Sequence, residues 1–401
     1  MKATNTSQTP AIPTAGEAAG ATDEGPRLNI FGRLESWLLD RKRAKFGTSI
    51  LRILLGASVL AIVITNFMDR KYIWGTASGW AQPYREESIW NFWLFKYFSA
   101  GDPDPLLVAK LVLLAVFGLL MVLGWRTRIV TMVTLLMFIS LAALGPTSSD
   151  SADNALRIML IYSFFTDGSQ RWSLDARRRR IRNERISAEG RPGSRVTAVA
   201  PAWFGIIVHN LAVVAIGGQV IIIYLVAGLA KARGTLWRDG TAVYYPMHAE
   251  NFSPWPQLNH LLVANDLMVH LISWGSVAIQ VLFPLLLLNR WTRRFAVLGL
   301  IAMHAGIGIF LGLSVFSLSM VAADVIFVRD STVESIGRWF HGRRGGRRRQ
   351  PESHDGSPGD AERYDEGARH GEAAGHGEGS RDLAPDRDGA GVTHEDPAAP
   401  A

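Results

Sequence analysis

Six runs of about twenty apolar residues most constrain what this chain can fold into. They lie at 48–66, 105–124, 128–145, 204–229, 264–288 and 295–313. A helix needs about 20 such residues to cross the hydrocarbon of a bilayer, at a rise of 1.5 Å per residue. Two shorter runs, 154–166 and 315–328, cannot span alone against lipid, but inside a bundle both can, by tilt or by local thinning. The expected fold is all-α: a polytopic integral membrane helical bundle of about eight transmembrane segments between polar tails. Only 19% of residues are charged, below the usual quarter of a soluble domain, which excludes an ordinary soluble enzyme.

The ends differ from the middle. Residues 1–45 are polar, rich in Ala, Thr, Gly and Pro as far as Pro26, and show no early apolar stretch of a cleavable signal. Residues 46–329 form the expected membrane domain. Residues 330–401 form a charged tail, and from 341 onward its only large apolar side chains are Tyr364, Leu383 and Val392. Such a segment cannot bury enough surface to offset its ordering entropy, so disorder is expected there. The chain has no cysteine, which excludes disulfides, thiolate metal sites and cysteine nucleophiles. No compact metal-ligand spacing is present, and no metal site is expected.

Charge placement sets the topology. Basic residues cluster at 41–45, at Arg126 and Arg128, at 171–185, at 290–294 and in the run after 342. With eight spans all five sites fall on one side, the pattern of cytoplasmic loops. The expectation is a multi-pass protein of the cell membrane with both termini cytoplasmic. The pI near 9.8 then reflects topology and contact with membrane lipid headgroups, and no nucleic acid partner is expected. The opposite loops, 67–104 and 231–263, are rich in Trp and Tyr. That composition fits an interfacial aromatic belt first, and a lid over a lipid-soluble ligand as the sharper alternative.

Ionisable groups inside a membrane are expensive and mark function by default. On the expected outer side stand Asp153, Asn154 and Arg157, with Lys231, Asp266 and His270; deeper lie His209, Asn210, Gln219, Gln280, His304 and Asp324. Each has a plain structural alternative. Asp153 can cap a helix and pair with Arg157 four residues on. Lys231 can snorkel to headgroups. His304 and the two glutamines can hydrogen-bond between helices. No phosphate loop, HExxH or GxSxG pattern is present.

The stretch QVIIIYLVAGLAKARGTLWRDGTAVYY at 219–245 contains Tyr-x-x-Ala-Gly-x-x-Lys followed by Trp-x-x-Gly: Tyr224, Ala227, Gly228, Lys231, Trp237 and Gly240. It resembles the HTTM membrane domain, the family of the vitamin K-dependent gamma-glutamyl carboxylase and its bacterial relatives. Residues 148–179 and 252–259 look similar to bacterial members. The resemblance implies a lysine base that deprotonates a quinol such as reduced vitamin K, at the position of Lys231. A lysine at the rim of an apolar site loses solvation, which makes it a usable base. Asp153, Asn154 and Arg157 are the expected neighbours, and Trp237, Tyr244 and Tyr245 the expected aromatic walls of the quinol site. Two features depart from the carboxylase pattern: Ala155 stands where an Asn-His pair has its His, and a disordered cytoplasmic tail is expected in place of a large lumenal part.

Three functions follow as expectations: a quinol-linked, carboxylase-like membrane enzyme with Lys231 as base, an accessory protein for maturation or export of a secreted peptide, and a transporter. The small-molecule partner is then a lipid-soluble quinone, and the protein partner a secreted peptide.

Overall fold

A computed structural model describes residues 30–86, 96–145, 151–189 and 201–345. Both polar tails fall largely outside the described residues, as does the disorder expected for them. The described residues contain helices and no strand. The helices are α1 (Ile30–Leu39), α2 (Lys45–Thr65), α3 (Arg70–Ile73), α4 (Gln82–Glu86), α5 (Asp104–Leu123), α6 (Thr127–Leu144), α7 (Ser151–Phe165) and α8 (Leu174–Ala188). They continue with α9 (Ala202–Arg233), α10 (Thr235–Arg238), α11 (Tyr244–His248), α12 (Pro256–Val263), α13 (Asp266–Leu286), α14 (Arg290–Phe310), α15 (Ser314–Asp324) and α16 (Asp330–Gly345).

Among the described residues, six helices, α2, α5, α6, α9, α13 and α14, are long and apolar enough to cross a membrane. They coincide with the six long apolar runs. The two short runs become α7 and α15, the latter continued by a 3-10 turn at Val325–Phe327.

Helix α5 shows why the bundle suits lipid. Leu107, Leu111, Leu114, Gly118 and Met121 are buried, a spacing of three and four that makes one face. The remaining surface is also apolar: Leu106, Val112, Leu113, Val116, Leu119 and Leu123 are exposed. A helix that is apolar all round needs a hydrocarbon surrounding on its outer face. α2 lies at the centre, packed on α5, α15 and α7, and α9 packs on α13 and α7.

One end of the bundle is held by polar side chains. Arg52 of α2 is fully buried and donates to the carbonyls of Gly168 (3.1 Å), Val122 (2.7 Å), Trp172 (2.8 Å) and Met121. It ties α2 to the end of α5 and to the turn before α8. Asp175 accepts from the backbone N–H groups of Arg126 (3.0 Å) and Thr127 (2.9 Å), capping α6. Asp330 does the same for α2 through Lys45 and Phe46. These contacts gather the basic stretches around 41–45, 126–128 and 171–185 at one end. The basic run after 345 lies outside the described residues.

The opposite end carries the aromatic segments. α3 and α4 follow α2, and α10, α11 and α12 follow α9. Buried Arg85 donates to the Leu144 carbonyl and to Ser78 Oγ, both at 2.6 Å, fastening the first segment to α6. Burial pushes the Arg85 guanidinium below its ordinary pKa.

Candidate functional site

The site is built where α9 leaves the bundle. Gly228 lets α9 touch α13. A Cβ there would stand 2.8 Å from Val281 Cγ2 and 3.0 Å from the Val281 backbone nitrogen. That contact brings Gln280 beside the last turn of α9. Three residues after Gly228 comes Lys231, whose Nζ donates to Gln280 Oε1 at 3.0 Å. The chain then breaks at Gly234 and folds back through α10, which sets the Trp237 ring 5.1 Å from the same ammonium.

Gly240 closes the turn at φ 77°, a left-handed conformation that favours glycine. A Cβ at Gly240 would meet His270 at 2.6 Å and Trp274 at 2.9 Å, so the space is excluded as well. The Tyr-x-x-Ala-Gly-x-x-Lys and Trp-x-x-Gly pattern thus has a physical reason at Gly228, Lys231, Trp237 and Gly240.

Lys231 and Trp237 line a cavity of about 520 Å3. Its walls are Gly275, Ser276 and Ile279 of α13 and Met303, Gly306 and Ile307 of α14, closed over by Val243, Met247 and Leu262. Among the described residues, Lys231 is the one charged residue lining it, and Ser276 supplies the one hydroxyl. Lys231 forms no ion pair among the described residues. The arrangement is an apolar chamber with a single cationic or amine group on its wall, oriented by a buried amide.

Behind that wall lies a buried polar triad. Tyr224 Oη donates to Asp324 Oδ1 at 2.7 Å and Oδ2 at 2.9 Å, and lies 3.0 Å from His304 Nε2. With the tyrosine proton directed at the carboxylate, His304 donates Nε2–H to the tyrosine oxygen. His304 Nδ1 is then buried with no hydrogen-bond partner among the described residues. The interhelical hydrogen bonds expected for His304 and Gln280 are present, and Asp324 makes one as well.

The remaining expected site residues sit elsewhere. Asp153 lines a different cavity, with Asn66, Trp74 and Val315. Arg157 is buried and donates to Asn154 Oδ1, while Asn154 itself is exposed and Ala155 is buried. Asp153 also places its charge on Arg157. Tyr244 and Tyr245 are exposed, and the chamber takes their neighbours Val243, Pro246 and Met247 instead. Asp266 and His270 fall at the start of α13, His270 bonded to the Asp266 carbonyl at 2.7 Å. Gln219 reaches Tyr162 at 3.5 Å between α9 and α7.

His209 and Asn210 act as a latch near the basic end. His209 Nδ1 accepts from Asp167 N–H at 2.8 Å, which leaves Nε2–H to donate to the Arg43 carbonyl at 2.8 Å. Asn210 accepts from Arg43 N–H and donates to the carbonyls of Leu38 and Arg41. Arg52 escaped the sequence reading, although a lone arginine inside LRILL was the signal for it.

Residues 198–331 match the family model described as the HTTM domain. The chain carries an HTTM domain. It begins just before α9 and ends just after α15, so it holds the chamber, the Lys231–Gln280 pair and the buried triad together. Neither the curated proteins nor the solved structures give a significant match. The HTTM domain and the six long apolar helices make this a multi-pass membrane protein.

Proposed function

We propose that the HTTM domain receives a lipid-soluble quinol in the chamber beside Lys231 and takes a proton from it there. One observation carries the reading: among the described residues, Lys231 is the sole charged one on the wall of an otherwise apolar cavity of about 520 Å3. That volume is within the usual range for a small-molecule site, and the balance of one polar anchor and many apolar walls suits a ring with one hydroxyl at its edge. A quinol, when bound, supplies a weakly acidic hydroxyl. Lys231 Nζ is the group placed to accept that proton, and Gln280 Oε1, 3.0 Å away, keeps Nζ aimed. Trp237 shields the pair from water at the rim. The resemblance to the carboxylase family points to the same lysine.

This reading includes eight crossings in the cell membrane, with α7 and α15 as short spans supported by their neighbours and both termini cytoplasmic. The test is binding of a short-chain naphthoquinol to the full chain in nanodiscs, followed by the part of the tryptophan quenching that Trp237→Phe removes. Lys231→Met is expected to weaken binding by about threefold to tenfold, the worth of one hydrogen bond between the neutral amine and the hydroxyl. Equal binding by the wild type and Lys231→Met, with both folded, refutes the proposal.

A further inference from the structure

A second cavity, of about 700 Å3, lies at the basic end of the bundle, away from the quinol chamber. Its walls come from distant parts of the chain: Trp37, Arg41 to Lys45, Arg171, Val213 of α9, Leu287 and Arg293 at the α13–α14 turn, and the stretch after α15. Seven of its lining residues are basic and two are acidic.

The compensation inside the protein is small. Lys42 is committed to Asp167 at 2.5 Å. The two oxygens of Asp330 face the N–H groups of Lys45 and Phe46 at 3.1 and 3.0 Å, so that carboxylate serves the α2 N-terminus. Arg41, Arg43, Lys45, Arg171, Arg293 and Arg329 make no ion pair among the described residues. Arg293 also feels the repulsion of Arg329 and Arg294. Like charges crowded this way raise the energy of the empty cavity, and an anion placed among them lowers it.

The same cavity has an apolar side made by Trp37, Val213, Leu287, Ile326 and Phe327. Next to it, Leu285 and Leu288 are largely exposed, at 64% and 84%. A small hydrophilic anion has no use for such a wall. A molecule with a phosphate head and an acyl stem fits both halves, since guanidinium groups bind phosphate oxygens and the apolar residues take the stem.

We infer that this cavity binds the phosphate headgroup of an anionic phospholipid at the basic end of the bundle. It is a built pocket, distinct from the exposed arginines of α8, which offer only a diffuse positive surface. The shared chemistry is a phosphate anion, and the experiment separates lipid from free phosphate.

The full chain is placed in phosphatidylcholine nanodiscs with increasing phosphatidylglycerol, and thermal unfolding is followed. The wild type is expected to show a saturable rise in midpoint. Arg293→Gln with Arg329→Gln is expected to lose most of that rise. Arg182→Gln with Arg185→Gln on exposed α8 is expected to keep it. Because Arg329 is exposed, Arg329→Gln alone serves as the reading if the double variant does not fold, and a partial loss is expected. Inorganic phosphate added to phosphatidylcholine discs is expected to leave the midpoint unmoved. The inference is overturned by no response to phosphatidylglycerol, by equal loss in the two double variants, by an Arg329→Gln response equal to the wild type's, or by free phosphate reproducing the full rise.

Discussion

Tyr224 and Asp324 stand 100 residues apart in the chain, yet the tyrosine hydroxyl donates to both carboxylate oxygens, at 2.7 and 2.9 Å. The bond joins α9 to α15 in a part of the core where both side chains are almost fully buried. Tyr224→Phe keeps the ring against Phe283 and removes the hydroxyl, both the donor to Asp324 and the acceptor for His304. An orphaned buried carboxyl costs about 1–3 kcal/mol, and more if charged. A clear fall in the unfolding midpoint is therefore expected in detergent or nanodiscs. An unchanged midpoint would show that the hydrogen bond contributes nothing net.

Gly228 and Gly218 lie on the same helix but face different surroundings. At Gly228 a Cβ would press on Val281, including its backbone nitrogen at 3.0 Å; at Gly218 nothing lies within 4 Å. Gly228→Ala is expected to destabilise by about 1–3 kcal/mol through overpacking of α9 on α13. Gly218→Ala is expected to be neutral or to stabilise by up to about 1 kcal/mol through helix propensity. Thermal unfolding of the two variants side by side checks the contrast, and similar effects would contradict the close approach.

Asp167 provides a pH signature. Burial raises its pKa, but hydrogen bonds from Lys42 and Ser169, with the charges of Lys42 and Arg179, outweigh burial and lower it to about 2. An unfolded aspartate titrates near 3.9. A depressed carboxylate pKa gives stability that is present above the unfolded value and is lost as pH falls through the folded one. The midpoint difference between wild type and Asp167→Asn is thus expected to be constant above about pH 5 and to shrink between about pH 4 and 2. A difference that does not change over that window would remove the ion pair from the account.

The topology is open to labelling because the chain has no native cysteine. Asp239→Cys in the aromatic segment is expected to react with an impermeant maleimide added outside intact cells. Arg182→Cys on α8 is expected to react only after the cells are opened. Reversed accessibility would invert the orientation, and reaction of both from outside would refute the spans between them.

Much of the fold was legible because lipid imposes a simple rule. Each of the six long apolar runs became a helix whose ends lie within a few residues of the run, as α2 at Lys45–Thr65 shows. The site was legible in its local part. Lys231 and Trp237 share a wall because a glycine break folds one back on the other within seven residues. Long-range pairings were not legible. Nothing in the spacing of Lys231 selects Gln280 on α13, and nothing local separates Asp153 from the chamber. Arg52 and the His209–Asn210 latch bond to backbone carbonyls and N–H groups, which carry no residue-specific mark in the sequence.

The central claim is that the chamber beside Lys231 is where a lipid-soluble quinone ring sits. A photoactivatable azido-naphthoquinone, added to the full chain in nanodiscs and mapped by peptide mass spectrometry, tests it most directly. The account predicts cross-links at Trp237, Met247, Met303 or Ile307, competed by unlabelled naphthoquinol and reduced in Lys231→Met. Competable cross-links confined to residues outside that wall, or labelling that ignores both the competitor and Lys231→Met, would contradict it.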